Sequence, residues 1–189
     1  KEVILSRTDI QALKGIPEIA LMDTNIRGTV KITYLGKTGS VSLTGVDQSI
    51  WSSITNLKIK DGRMLGPADQ NVIVIGSRLA SSYFSQPIGI NKMISIENNS
   101  FRVVGILDDD SRNVYMPVQM AFQVIPDKEN GVYDTIVIKI KDETTLNETM
   151  TKIGDKLMLV RHVTDKNKDF SVTSNKQLME TRASTLASI

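Results

Sequence analysis

Two short segments of the sequence carry residue types that could bind a phosphate or a cation. Gly36, Lys37 and Thr38 match the end of a phosphate-binding loop, but that loop also needs a glycine five residues before Gly36, where the chain has Lys31. The acidic run 108–110 lacks the alternating carboxylates, central glycine and distant glutamate of a calcium-binding loop. We therefore expect a hairpin turn at the first segment and a solvated loop at the second.

A histidine and a tryptophan are the remaining candidates for a site. His162 is the one imidazole of the chain, and no serine stands in a nucleophile-elbow pattern, so a catalytic triad lacks its parts. His162 follows Arg161 at the end of a predicted helix, where positive charge favours the helix dipole, which predicts a structural role. Trp51 lies at helical spacing with Ile50 and Ile54, which predicts core packing rather than a ligand pocket.

The composition excludes several classes of function. The 189 residues include no cysteine and carry a formal net charge of +2, which excludes disulfide scaffolds, thiolate zinc sites, cysteine nucleophiles and a basic surface for nucleic acid. We therefore predict no catalytic, cofactor-binding or metal-binding residues, no enzyme activity and no nucleic-acid partner. The chain has no run of the roughly 18 to 20 apolar residues that span a bilayer, so we expect a soluble fragment.

The N-terminal part of the chain predicts a short helix and a hairpin. Thr8 and Gln11 have capping-box spacing, and the helix is predicted to stop at Gly15. Apolar residues alternate with polar ones over 30–34 and 41–43 on either side of the turn, which predicts two antiparallel strands.

The C-terminal part predicts a strand, a helix and a second strand. Residues 136–140 read as a strand, 146–157 repeat apolar residues at helical spacing, and 170–172 alternate again. Ser174 and Gln177 have capping-box spacing at the start of a last predicted helix, which carries Met179, Ala183 and Leu186. No glycine or proline stops this helix, so we expect the natural chain to continue.

The middle of the chain has a different character. Residues 63–116 contain short β-branched runs and turns, including a second hairpin with Gly105 at a predicted bulge. The shifts near residues 63 and 117 predict a discontinuous domain of 1–62 and 117–189, into which a β-rich domain of 63–116 is inserted.

Many short fragments follow one another along nearly the whole length of the chain in an order and spacing that are specific in combination. These are Thr8 to Leu13 with Pro17, Gly45 and Val46, Asp61 to Arg63, Val72 to Gly76 with Leu79, Ala80 and Phe84, Ile88 and Gly89, Phe101 with Val103 to Leu107, Met116 and Pro117, Arg161 and His162, and Asp169, Phe170 and Val172. In the order and spacing of these fragments, the chain resembles the extracytoplasmic core domain of MacB-type and FtsX-like ABC transporter permeases.

The resemblance implies an α+β fold in which a porter-like subdomain of two βαβ units holds an inserted, β-rich, sabre-like subdomain. It also implies a position on the extracytoplasmic face of the cell membrane, between transmembrane helices of the permease. The implied partners are those helices, a cytoplasmic ABC ATPase, a second permease copy and an extracytoplasmic partner protein. The implied role is non-catalytic transmission of ATP-driven movement, and the alternative is an extracytoplasmic module that binds a lipid, peptide or drug.

Overall fold

The structure of the protein is a computed structural model that describes residues 5–175 and 178–183. Among these residues, the regular elements follow one another along the chain as ten strands and four α-helices, with one π-helical and one 3-10 turn. They are α1 (Arg7–Lys14), β1 (Ile19–Tyr34), β2 (Lys37–Val46), α2 (Trp51–Ile54), β3 (Ile59–Gly62), β4 (Val72–Ile75), the π-helical turn (Leu79–Tyr83), β5 (Met93–Ile96), β6 (Asn99–Leu107), β7 (Val114–Pro117), α3 (Val118–Val124), β8 (Thr135–Ile140), the 3-10 turn (Glu143–Thr145), α4 (Leu146–Arg161), β9 (Phe170–Asn175) and β10 (Leu178–Ala183).

The chain divides into two compact units, and strand β1 runs from one into the other. The first unit contains Lys1–Asn25 and Asn130–Ile189, and the second contains Ile26–Glu129. The insert of 63–116 predicted from composition lies within the second unit. The fold as a whole is a mixed α and β fold with more strand than helix. No helix among the residues that the structure describes is long and apolar enough to span a membrane.

The first unit is a four-stranded antiparallel sheet with helices α1 and α4 packed together. Its strand order is β1, β8, β10 and β9, and each strand is antiparallel to its neighbours. The predicted strand, helix and second strand are present as β8, α4 and β9, but β10 lies between the two strands. This is a split form of the strand–helix–strand unit. The buried core of this unit includes Leu13, Ile138, Ile153, Leu157 and Phe170.

The predicted last helix is wrong for the residues that the structure describes. Ser174 belongs to β9, and Leu178–Ala183 forms β10, while Gln177 and Leu186 lie outside the described residues. The physical reason is that β8 and β9 run parallel with a gap between them. A strand in that gap satisfies its backbone hydrogen bonds on both sides, and this long-range pairing outweighs the local helical spacing.

Helix α1 begins slightly earlier than its predicted capping box. Ser6 is the N-cap, Asp9 is the residue three positions later that bonds back to it, and Gly15 ends the helix as predicted. The Ser6 N–H donates to the Asp9 carboxylate at 2.8 Å. The spacing is the same in Ser6–Asp9 and in Thr8–Gln11. Asp9 is the better acceptor for an N–H without a partner inside the helix, because its carboxylate is an anion.

The second unit is a closed ring of strand pairings. β1 pairs with β2, β2 with β7, β7 with β4, β4 with β6, β6 with β5, and β5 with β1, while β3 adds to β6. Closure removes open edges from these strands. The predicted hairpin of β1 and β2 is confirmed, with Tyr34 opposite Lys37 and a two-residue loop in which Leu35 and Gly36 both have positive φ.

The predicted bulge at Gly105 is confirmed. Ile73 of β4 pairs with Val103, but the next residue, Val74, pairs with Gly105, so β6 carries one extra residue. A Cβ at Gly105 would lie 2.1 Å from the backbone oxygen of Arg63, which is too close for any side chain. Glycine is therefore required here, because the backbone that follows β3 approaches β6 at this point.

Candidate functional site

A buried cluster of three charged side chains connects three elements of the first unit. Arg161 is the last residue of α4, Asp9 lies in the first turn of α1, and Asp169 immediately precedes β9. Arg161 Nη1 lies 2.7 Å from Asp9 Oδ2, and Arg161 Nε and Nη2 donate to the two Asp169 oxygens at 2.8 and 2.9 Å. The Arg161–Asp169 pair is thus bidentate, the strongest geometry for such a contact.

The cluster is largely shielded from water. The side chains of Asp9, Arg161 and Asp169 are 3%, 11% and 25% exposed, respectively. A charge this buried loses most of its hydration, and it is stable only when partners replace the lost water contacts. Asp9 has such partners in Arg161 and in the backbone N–H and hydroxyl of Ser6.

Local sequence places each member of the cluster. Asp9 is positioned by the hydrogen bond that it accepts from the N-cap residue of α1, Ser6. Arg161 is positioned by the abrupt end of α4. His162 follows it with a left-handed φ of 56°, and the N–H groups of His162 and Val163 bond back to carbonyls of the last helical turn. His162 is thus the residue at which the helix ends.

The cluster shifts the pKa of two of its members. Hydrogen bonds from Arg161 hold the pKa of Asp169 below its ordinary value, against a smaller opposing effect of burial. Hydrogen bonds to Asp169 raise the pKa of Arg161 further above its ordinary value, so this side chain stays cationic. Both shifts favour the charged forms of Asp169 and Arg161, and therefore the ion pair between them.

The lowered pKa of Asp169 predicts a stability that depends on pH. Because the folded-state pKa lies below the unfolded value of about 3.9, the folded state gains stability from Asp169 above that value. This contribution is lost as pH falls through the unfolded value towards the folded one. We expect Asp169→Asn to flatten the dependence of unfolding free energy on pH below about 5, measured by urea unfolding at several pH values. A slope equal to that of the wild type would contradict this assignment.

The segments considered for phosphate and cation binding have structural roles. Gly36 lies in the hairpin loop, and Lys37 and Thr38 begin β2, as expected. The acidic run lies in a loop with Asp108 and Asp110 exposed, as predicted, and it also forms hydrogen bonds. The Asp109 carbonyl accepts hydrogen bonds from the N–H and hydroxyl of Ser77, and Asp110 forms a bidentate pair with Arg78. These contacts connect the loop to the start of the π-helical turn.

Trp51 packs in the core of the second unit, as predicted. It is 4% exposed and stacks on Tyr115, with ring centroids 4.9 Å apart. Within the described part of the chain, no group of three or more histidine, aspartate or glutamate side chains is arranged to hold a metal ion.

Two of the surface depressions lie at the end of α4 and on the second unit. One lies at the C-terminal end of α4 and is lined by Asp155, Met158, Leu159, His162, Val163, Thr164 and Asp165. The other lies on the second unit and is lined by Thr29, Ser40, Val41, Ser42, Arg78, Ser111, Arg112 and Asn113. Both are open to solvent, whereas binding sites for small molecules usually enclose most of the ligand.

The charged cluster could not be read from the sequence. Asp9 and Arg161 are 152 positions apart, and no local pattern connects them. The one available signal was that Asp9, Arg161 and Asp169 all belong to the fragments that carry the resemblance to a known family. Only the packing of α1 against α4 shows why these three residues occur together.

The fold is that of extracytoplasmic domains of ABC transporters. The periplasmic region of MacB from Actinobacillus actinomycetemcomitans matches with a TM-score of 0.73 and 18% identity, covering 97% of this chain and 80% of that one. The extracellular domain of the noncanonic ABC-type transporter YknZ from Gram-positive bacteria matches with a TM-score of 0.71 and 16% identity, covering 86% of this chain and 87% of that one.

The sequence profile of the MacB-like periplasmic core domain matches residues 3–156. The chain belongs to this family and is a periplasmic core domain of a MacB-like ABC transporter permease.

Two curated relatives extend over almost the whole chain. The uncharacterized ABC transporter permease MJ1507 of Methanocaldococcus jannaschii is 24% identical over 194 aligned residues, which cover 98% of this chain and 47% of that protein. The pyoverdine export ATP-binding/permease protein PvdT of Pseudomonas fluorescens is 29% identical over 199 residues, which cover 96% of this chain and 29% of that protein. The chain thus spans less than half the length of either relative.

Proposed function

We propose that this domain transmits ATP-driven movement of an ABC permease to the extracytoplasmic side of the membrane, without catalysis of its own. The observation that carries the proposal is the buried Arg161 cluster, which joins α1, α4 and β9 into one body. A part that transmits movement must move as a unit, and a charged group that is shielded from water and bonded to two elements resists their separation.

The proposal includes the partners that the family resemblance implies. The domain would be joined to transmembrane helices of its permease, pair with a second permease copy and contact a partner protein outside the membrane. The movement would come from a cytoplasmic ABC ATPase. The name of PvdT, an ATP-binding/permease protein, supports an ATPase as partner. We further propose that 1–62 and 117–189 form the porter-like subdomain and that 63–116 is the inserted, sabre-like one.

A module that binds a lipid, peptide or drug stays the alternative, and neither depression described above is itself evidence for it, because both are open to solvent. Transmission therefore remains the function that the described geometry supports best.

A distance measurement in the complete transporter tests the proposal. The chain contains no cysteine, so Leu159→Cys would introduce one attachment point for a spin label on α4, at a side chain that is 70% exposed. We expect the distance between labels on two permease copies in lipid nanodiscs to differ between the nucleotide-free and vanadate-trapped states. Lys156→Cys on the same helix provides a second label, and an ATPase-inactive variant provides the control.

This experiment tests the presence of a second permease copy and the transmission of movement separately. If no dipolar coupling between labels is detected at either position, a second permease copy at close range is contradicted. If coupling is present but the distance distributions are identical in both nucleotide states at both positions, transmission through this domain is contradicted.

A further inference from the structure

The loop that follows the second unit contains a dipeptide with known chemical reactivity. Asn130–Gly131 is the one Asn-Gly dipeptide in the sequence. The structure places it in an exposed turn, with Asn130 exposed and Gly131 at a φ of +83°. Because glycine has no side chain, its backbone nitrogen meets little steric hindrance when it approaches the side-chain carbonyl carbon of the preceding asparagine.

A cation lies next to this dipeptide. A Cβ placed on Gly131 would be 3.4 Å from Arg7 Nε and 3.9 Å from Arg7 Cζ, so the guanidinium of Arg7 packs beside the glycine. A nearby positive charge stabilises the deprotonated backbone nitrogen and the oxyanion that forms when this nitrogen attacks a carbonyl. Arg7 is therefore a cation beside Gly131, the residue whose nitrogen would attack Asn130.

We propose that Asn130–Gly131 is a site of spontaneous modification, at which Asn130 is converted to aspartate and isoaspartate with the assistance of Arg7. The Gly131 nitrogen loses its proton to a solvent base and forms a bond to Asn130 Cγ. The bond from Cγ to the side-chain nitrogen breaks, and ammonia leaves with a proton from water. Water then opens the cyclic imide at one of its two carbonyls, giving aspartate or isoaspartate. Water is the one co-reactant.

The products change the charge and the backbone of this segment. Each product replaces a neutral amide by a carboxylate in the turn beside which Arg7 lies. Isoaspartate also adds one methylene to the main chain, close to Tyr133, whose backbone exchanges two hydrogen bonds of 2.8 and 3.1 Å with Leu5. Modification therefore alters the length of the chain where it returns from Glu129, the last residue of the second unit, to the first unit.

Peptide mapping of the purified chain tests the proposal. Trypsin cleavage after Lys128 and Lys139 releases the peptide 129–139, which contains Asn130. After incubation at mildly alkaline pH, we expect two new forms of this peptide that have the mass of aspartate in place of asparagine, and we expect their rate of formation to rise with pH. Asn130→Gln should prevent both forms. If the wild-type peptide stays unmodified, the proposal is overturned.

The role of Arg7 has its own test. Arg7→Gln should slow the reaction about fivefold, the size of the effect of one exposed charge at a distance of about 4 Å in water. This substitution should not unfold the chain, because a positive charge in the first turn of α1 opposes the helix dipole. Lys14→Gln at the other end of the same helix is the matched control and should leave the rate unchanged. Equal rates of Asn130 modification in the two variants would overturn the proposal that Arg7 assists the reaction.

Discussion

Arg161→Met should lower the free energy of unfolding by about 3–5 kcal/mol, the usual effect of removing one partner of a buried ion pair. Methionine retains part of the apolar stem of arginine, but it leaves the carboxylate of Asp9 buried at 3% exposure without its cation. Urea unfolding followed by circular dichroism measures the loss. Hydrogen exchange of the α1 and α4 amides shows whether it is confined to the elements that the cluster joins.

A second ion pair of the same chain provides the matched control. Arg78 forms a bidentate pair with Asp110, but the two side chains are 49% and 76% exposed. Arg78→Met should therefore cost only about 0–1 kcal/mol, the usual value of a surface pair. Replacing Asp9 and Asp169 by asparagine in the Arg161→Met background should recover part of the loss, because no buried charge then remains unpaired. An Arg161→Met effect no larger than that of Arg78→Met would contradict the structural role of the cluster.

The same substitution connects stability with the proposed function. In the complete transporter, Arg161→Met should reduce the nucleotide-dependent change of the distance between labels at position 159, because α4 would no longer be held to α1 and β9. The ATPase rate measured in detergent should persist, since the proposed ATPase lies in a different domain or subunit. A full distance change in a variant shown to be destabilised would mean that the cluster is not needed for transmission.

Phe101→Ala should lower the unfolding free energy by a similar amount, about 3–5 kcal/mol, through the loss of buried surface and the cavity left behind. Phe101 has no exposed surface and lies on β6, opposite Ile94 of β5, inside the second unit. Trp51, the one tryptophan of the sequence, belongs to the same unit, so its fluorescence reports the unfolding of the unit in which the cavity is made.

A neighbouring residue on strand β5 offers the control for this prediction. Met93 lies one position before Ile94 on β5, and its side chain is 54% exposed. Met93→Ala removes a large side chain from the same strand without opening a cavity, and it should change stability by no more than about 0.5 kcal/mol. Equal effects of the two substitutions would show that Phe101 is not a core residue.

Much of the local structure follows from the sequence because its causes are local. The hairpin of β1 and β2 depends on alternating apolar and polar side chains and on Gly36, which has a positive φ in the loop. Leu35, the first residue of the loop, also has a positive φ. Helix α4 depends on apolar residues at helical spacing, and the bulge depends on Gly105. Each of these elements is determined by neighbouring residues, so a single sequence is sufficient to predict it.

The strand β10 shows where this kind of prediction fails. Its residues have helical spacing and a capping-box pattern before them, yet they pair with β8 on one side and β9 on the other. A local pattern describes only what a segment prefers in isolation. The two hydrogen-bonded neighbours are brought to this segment by the rest of the chain, and their positions are not encoded within it.

From the sequence alone, the ordered family motifs determined that this domain is related to MacB-type permeases, and the absence of cysteine excluded disulfides and thiolate sites from it. The tertiary structure alone decided which residues hold the first unit together. Asp9 and Arg161 are separated by most of the chain, and their pairing becomes favourable only when α1 and α4 exclude water from both. Burial depends on how the whole chain packs. For this reason, the contribution of the cluster to stability cannot be predicted from its residues individually.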